Sequence, residues 1–307
     1  MKSLLEAICP TVFIESEKLK TYTNLDLTIA SETFQHTGSF KFRAAYNLAL
    51  NVSKDGILTA SSGNFGQALA YACKLTGKKC TVVMPETSAR VKIEAVVNYG
   101  ATVDLIDTKI VGRGERVAQL AAEMPDYYVA SAYDDNFVIA GNSTLGDELS
   151  AKDFDVVISP VGGGGLISGI SKGLCRHGHQ ANLIGAEPLL ANDAARSLAA
   201  GKIIANEREP QTIADGARTI SLGERNWAII EKGVAEIIEV SDENIIEATK
   251  ILFTLANLKC EPTGALPLGA ILENPNAFDN KKVCLVVSGG NVDAEVYRQI
   301  LSSESRL

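Results

Sequence analysis

No uninterrupted apolar run in this 307-residue chain approaches the roughly 20 residues that a bilayer-spanning helix needs. The first residues, MKSLLEAICPTVF, lack a long apolar stretch followed by a small-residue cleavage site, which argues against a secretory signal. Basic clusters are missing as well. The 29 Lys and Arg face 37 Asp and Glu, a net charge of −8, which argues against nucleic acid as a partner. None of the six cysteines, Cys9, Cys73, Cys80, Cys175, Cys260 and Cys284, stands in a C-x-x-C pair, and most lie in apolar runs. They read as reduced, buried thiols of a cytoplasmic protein, not as a zinc site or a disulfide frame. Histidines number three. His177 and His179 follow a predicted helix and read as solvated, while His36 could line an entrance. No glycine loop is followed by Gly-Lys-Ser/Thr, and there is no internal repeat or low-complexity tract.

What is present is an ordinary soluble composition, 46% hydrophobic and 21% charged. The length suits one large α/β domain or two domains sharing a cleft. Short β-rich runs alternate with helical stretches. Strands are predicted at 56–60, 80–84 and 102–106, with helices at 67–76, 88–99 and 114–123; the first two helices are closed by Gly77 and Gly100. A second series has strands at 155–159, 183–186 and 282–287 and helices at 166–176, 193–200 and 244–257, the last with Ser241 as N-cap. Short connections of this kind indicate parallel sheets flanked by helices. Stretches near 51–55 and 133–142 read as loops, so the first series is expected to form a small unit, residues 52–135, inserted into a larger one, residues 1–51 plus 136–307.

Three glycine-rich segments follow predicted strands: Ser61-Ser62-Gly63-Asn64-Phe65-Gly66, Gly162-Gly163-Gly164-Gly165 and Ser288-Gly289-Gly290-Asn291. Ligands of open α/β sheets bind beyond the carboxyl ends of strands, so the three can converge on one site. Consecutive glycines before a helix let backbone N–H groups surround a phosphate, although a tight packing turn would also use glycine. Lys41 lies between Phe40 and Phe42. An apolar setting lowers a lysine's pKa, as Schiff-base chemistry requires, but both phenylalanines could equally be core residues.

These segments carry a resemblance. Ser39-Phe40-Lys41-x-Arg43, the Ser61 loop continuing to Gln67, the four glycines, and Ser288-Gly289-Gly290-Asn291-Val292-Asp293 occur in the order found in fold-type-II pyridoxal-phosphate enzymes. Thr212-Ile213-Ala214-Asp215-Gly216 and Glu261-Pro262-Thr263-Gly264 are similar too. The match covers almost the whole chain and is closest in kind to the serine racemase and threonine (serine) dehydratase family. It implies a two-domain, tryptophan synthase β-like fold and a homodimer.

The resemblance assigns roles residue by residue. Lys41 would bind pyridoxal 5'-phosphate covalently and then act as base at the α carbon. Gly162, Gly163, Gly164 and Gly165 would hold the phosphate, Asn64 the ring hydroxyl and Ser288 the pyridine nitrogen. Phe40 and Gly216 would flank the ring. Ser61, Ser62, Gly63 and Asn64 would receive the substrate carboxylate, and Ser62 could also deliver a proton from the opposite face. Arg113 lies near an arginine of the family that would meet a side-chain carboxylate. Gln67 and Asn291 match positions that touch ATP in some relatives. Glu187, Ala191 and Asp193 resemble a divalent-cation site suited to Mg²⁺ or Ca²⁺; otherwise Asp193 simply caps the next helix.

A hydroxyl at the pyridine nitrogen has no charge with which to keep that nitrogen protonated, so the ring is a weaker electron sink than one paired with a carboxylate. That favours α,β-elimination from L-serine or L-threonine, giving a 2-oxo acid and ammonia, with racemisation as a second outcome. A serine or aspartate racemase, a β-replacement enzyme of the cysteine synthase type, and a non-catalytic amino-acid- or nucleotide-binding relative are the alternatives. The all-glycine loop counts against the β-replacement type, whose loop is threonine-rich. Two positions depart from the family, Phe65 in place of histidine and Ala44 in place of glycine. The chain also ends soon after the Ser288 motif, which leads us to expect no C-terminal regulatory domain.

Overall fold

The structure is a computed structural model that describes residues 2–88 and 90–304. Strands β1 Val12–Ile14, β2 Asp26–Ser31, β3 Gly56–Ala60, β4 Lys79–Pro85, β5 Thr102–Ile106, β6 Tyr127–Val129, β7 Val156–Pro160, β8 Asn182–Pro188, β9 Glu236–Val240 and β10 Lys282–Val287 form two sheets. The larger has the order β1-β2-β10-β7-β8-β9, and the smaller β5-β4-β3-β6. All pairings are parallel except β1 with β2, where an edge strand runs antiparallel.

The larger sheet is buried on both faces, as a parallel sheet covered by helices must be. Its central strands divide their side chains by the two-residue period of a pleated strand. Leu27, Ile29, Val156, Ile158, Val283 and Leu285 enter one core, which holds the helices Asp242–Ala256 and Pro262–Glu273. Ala30, Val157, Cys284 and Val286 enter the other, with the helix Gly165–Arg176. The helix Pro262–Glu273 is buried from Pro262 through Ile271 and starts with proline, whose missing N–H costs nothing in a first turn.

Three strands of the smaller sheet, β3, β4 and β5, are those of the first predicted series, and the fourth, β6, is not among the predicted strands although it lies in the same 52–135 stretch. The helix Asn64–Thr76 packs on it through Phe65, Ala68, Leu69 and Ala72. The predicted helix at 88–99 begins at Arg90 and ends at Asn98; residue 89 lies outside the described residues. The helix predicted at 244–257 starts two residues earlier, and the Ser241 hydroxyl accepts from the Asn244 N–H.

One expectation is corrected. Residues 133–142 do not form a loop throughout, because a helix runs from Asn136 to Leu149. Gly141, Asn142, Ser143 and Thr144 are poor helix formers, but all four are buried. A Cβ at Gly141 would stand 2.4 Å from the Arg43 carbonyl oxygen and 2.8 Å from Ala44 Cα. The helices Lys41–Asn51 and Asn136–Leu149 thus cross backbone to backbone, and the Ala44 methyl is accommodated with Gly141 opposite it.

Candidate active site

A cavity of about 400 Å³ opens beyond the carboxyl ends of β3, β7 and β10, between the two sheets. Lys41, the first residue of its helix, lies in its wall. The segment before it is held to the end of β10: Phe40 N–H donates to the Ser288 carbonyl, and Gly290 N–H to the Gly38 carbonyl. Lys41 Nζ donates to the Ala132 carbonyl at 2.8 Å and lies 5.0 Å from the Phe40 ring centroid and 5.7 Å from that of Phe65. Burial in this apolar corner lowers its pKa to about 8, opposed by the charge of Glu261. Phe65, one of the two departures, is therefore part of the wall that desolvates the lysine.

Arg43, in the first turn of the helix, is fully buried. Its Nε and Nη2 grip Glu32 at 2.7 and 2.9 Å, Nη1 reaches Glu148 at 2.7 Å and Thr144 at 3.0 Å, and Nη2 also meets Thr11 at 2.9 Å. Burial acts against the charge, but Glu32 and Glu148 more than offset it and raise the pKa. This clamp fixes the helix that presents Lys41.

Gly163, Gly164 and Gly165 are needed where they are, and Gly162 leaves little room for a side chain. A Cβ would meet the Gly216 carbonyl at 3.1 Å from Gly162, the Tyr133 ring at 2.3 Å from Gly163, and the Tyr133 carbonyl at 2.8 Å from Gly165. Gly164 has φ +89° and caps the helix Gly165–Arg176. Packing accounts for the glycines by itself, so their number is weaker support for a phosphate cup than the sequence suggests. The stronger support is that Gly162, Gly163 and Gly164 line the cavity while their N–H groups donate to nothing among the described residues. With the helix N-terminus behind them they suit a phosphate dianion. Asn226, fully buried, holds the cup by donating to the carbonyls of Gly163 and Tyr133 at 2.7 and 3.1 Å.

The Ser288 and Ser39 hydroxyls are buried and have no hydrogen-bond partner among the described residues. An orphaned hydroxyl in the wall that holds Lys41 fits a pyridine nitrogen as acceptor. Gly216, in the same wall, donates its N–H to the Thr263 hydroxyl at 3.0 Å. Asn64 is already engaged. Its Nδ2 donates to both oxygens of Glu261 at 3.0 Å, and its Oδ1 accepts from Asn291 at 2.8 Å. Glu261 is 3% exposed, and burial raises its pKa to about 7. The Ser61 hydroxyl accepts from the N–H groups of Gly66 and Gly63, at 3.0 and 3.4 Å, and so shapes its own loop. The Ser62 hydroxyl has no hydrogen-bond partner among the described residues, and Ser62 lines the cavity beside Gly63.

Cations ring the mouth. Arg113 pairs with Glu209 at 2.8 Å and Lys92 with Asp215 at 3.1 Å. Arg218 donates to the Thr212 carbonyl.

Away from the cavity, Glu187 caps the helix Asp193–Ala200, its two oxygens accepting from Ala194 and Ala195 at 3.0 and 2.9 Å. Asp193 Oδ1 accepts from Asn206, and Oδ2 is buried without a hydrogen-bond partner among the described residues. Burial raises both carboxyls, and the charge of Asp193 raises Glu187 further. No cluster of three or more His, Cys, Asp or Glu side chains able to hold a metal occurs among the described residues. Two carboxylates with an orphaned oxygen, beside the buried Ala191, fit a hard cation completed by carbonyl and water.

Thus Lys41, Phe40, Ser61, Ser62, Gly63, Asn64, Gly162 to Gly165, Gly216 and Ser288 share one cavity, with Arg113 at its mouth, while Glu187, Ala191 and Asp193 stand apart from it. Glu261, Asn226 and Glu209 carried no role in the sequence. Only Glu261 sat in a noted motif, and only the fold shows which carboxylates and amides face the cavity.

The model of the family described as pyridoxal-phosphate dependent enzyme matches residues 4–289. The β-hydroxyaspartate dehydratase of Paracoccus denitrificans is 38% identical over 286 residues, covering 91% of this chain and 90% of its own. Among solved structures, the threonine deaminase of T.th. is 39% identical with a TM-score of 0.87 and 92% of both chains covered. Maize serine racemase is 31% identical with a TM-score of 0.91, covering 96% of this chain and 92% of that one. By the extent of that match and the agreement of fold, the chain belongs to the pyridoxal-phosphate-dependent enzymes of fold type II.

Proposed function

We propose that the chain deaminates a small hydroxy amino acid by α,β-elimination to a 2-oxo acid and ammonia, with racemisation at the α carbon as a second outcome. Among such substrates we name 3-hydroxyaspartate, alongside L-serine and L-threonine. The observation that carries the reading is the buried, unpartnered Ser288 hydroxyl in the wall that also holds a desolvated Lys41. The relatives named for hydroxyaspartate support the dicarboxylic substrate.

Pyridoxal phosphate, when bound, supplies a sink for the electron pair left when the α proton is removed. The protein's part is to place groups around it. The N–H groups of Gly162 to Gly164 and the helix behind them would hold the phosphate. Ser288 Oγ would donate to the ring nitrogen without charging it. Lys41 Nζ would hold the cofactor and, as a free amine, would take up the α proton. A pKa near 8 leaves about one in ten of these amines unprotonated at pH 7, roughly three hundred times the share of a lysine at its ordinary value. Ser62 and the N-terminus of the helix Asn64–Thr76 orient the α-carboxylate. Loss of the β-hydroxyl gives an enamine that hydrolyses to the oxo acid and ammonia. For racemisation, the Ser62 hydroxyl returns a proton from the opposite side.

The proposal includes Mg²⁺ or Ca²⁺ held by Glu187, Asp193 and the Ala191 carbonyl in a supporting role, a cytoplasmic homodimer, and residues 52–135 moving as a unit over 1–51 plus 136–307. The test is incubation of the holoenzyme with each of the three substrates, assaying oxo acid and D-enantiomer, with Lys41→Ala as control. Product that disappears in the variant supports the reading. Absence of product from all three, with cofactor bound, overturns it.

A further inference from the structure

Glu209 is the least expected group in the cavity wall. A site that is to receive an amino-acid carboxylate has a protein carboxylate already placed on one of its cations. Glu209 Oε2 lies 2.8 Å from Arg113 Nη2. Ser62, Lys92, Arg113 and Glu209 line both the main cavity and an outer one of about 480 Å³, so the pair stands at the junction between them. Lys92 is likewise occupied by Asp215. Arg218, in the same wall, has no carboxylate within 4.0 Å among the described residues and is tied to the Thr212 carbonyl instead.

We infer that Glu209 is a specificity-determining residue. It occupies Arg113 as an internal stand-in for a substrate's second carboxylate and thereby sets the discrimination between hydroxy amino acids with a neutral side chain and those with an acidic one. This rests on the reading of the cavity as an amino-acid site. A substrate such as serine leaves the Arg113–Glu209 pair intact. A substrate with a β-carboxylate must displace Glu209 or enter against its charge. Arg113 is 39% and Glu209 49% exposed, so the pair is weak enough to exchange, and its displacement lowers the affinity for a dicarboxylate about fivefold. Glu209 lies between the helix Asp193–Ala200 and the turn at Asp215, in a stretch without helix or strand, so its side chain can swing aside without unfolding an element.

The experiment compares wild type, Glu209→Gln, Arg113→Gln and the double variant as holoenzymes. kcat/KM is measured for L-threo-3-hydroxyaspartate and L-serine, and succinate binding by calorimetry. In Glu209→Gln the hydroxyaspartate-to-serine ratio rises about fivefold through KM, and succinate binds correspondingly tighter. Both gains vanish when Arg113→Gln is added. A ratio and a succinate affinity that each stay within about twofold of wild type overturn the inference, and so does a gain that persists without Arg113. If wild type turns over neither amino acid while Glu209→Gln still tightens succinate, the proposed reaction is wrong and the role of Glu209 stands.

Discussion

Asn64 and Glu261, 197 residues apart in sequence, meet with one amide nitrogen 3.0 Å from each carboxylate oxygen. The contact joins the first turn of the smaller sheet's helix to the start of the helix Pro262–Glu273 under the larger sheet. Because Glu261 is buried, its carboxyl is raised from 4.5 to about 7. The folded protein therefore keeps a proton that the unfolded chain releases between pH 4.5 and 7. Its stabilising contribution is complete below pH 4.5 and is lost as pH rises to about 7, amounting to about 3 kcal/mol. Glu261→Gln should flatten the pH dependence of Tm across that window in cofactor-free protein and raise Tm at pH 8. A variant whose Tm falls as steeply with pH as that of wild type would place the titration elsewhere.

Lys41 should capture its cofactor with an unusual pH profile. With a pKa of about 8, roughly one amine in ten is unprotonated at pH 7, against about one in three thousand for a lysine at 10.5. The rate of cofactor uptake by the cofactor-free protein, followed by visible absorbance, is expected to rise toward pH 8 and level there. A rate still climbing tenfold per unit at pH 9 would contradict the desolvation assigned to Phe40 and Phe65.

The clamp around Arg43 should not tolerate lysine. A lysine ammonium cannot make the paired contacts to Glu32 while also reaching Glu148 and Thr144. Removing one partner of a buried ion pair costs about 3–5 kcal/mol. Arg43→Met is expected to lose about that much in urea unfolding, and Arg43→Lys most of it. A loss below about 1 kcal/mol for Arg43→Lys would show the clamp to be dispensable.

Gly163→Ala should damage the cup by steric means. Its methyl would stand 2.3 Å from the Tyr133 ring. Overpacking of this kind costs about 1–3 kcal/mol, felt here as weaker cofactor binding. Adding Tyr133→Ala removes the ring, and cofactor affinity should partly return. Titration of the cofactor into both variants distinguishes this from a direct role of the Tyr133 side chain.

Much of this architecture could be read from the chain. The strand–helix series over 56–123 was visible because its strands are short apolar runs and two of its helices end in Gly77 and Gly100. The cavity loops were visible because serine and glycine cluster after three of the strands. Other parts were hidden for physical reasons. The helix Asn136–Leu149 contains Gly141 and Thr144, which serve a close crossing and the Arg43 clamp at the expense of helix propensity. The helix Pro262–Glu273 is apolar on every side and contains Pro267, so it shows no amphipathic period. Glu261, Glu209 and Asn226 act through partners far away in sequence, and no local pattern reports burial of that kind.

The position of β10 between β2 and β7 has a consequence for biosynthesis. The smaller sheet uses only residues 56 to 129 and can pair as soon as that stretch leaves the ribosome. The segment that carries Lys41 is emitted earlier but waits longer. Ser39 pairs with Gly289, Glu32 N–H with the Val287 carbonyl and Phe40 N–H with the Ser288 carbonyl. Lys41 is thus made well before the strand that places it, and a nascent chain that has not yet emitted Ser288 offers the cofactor no finished seat.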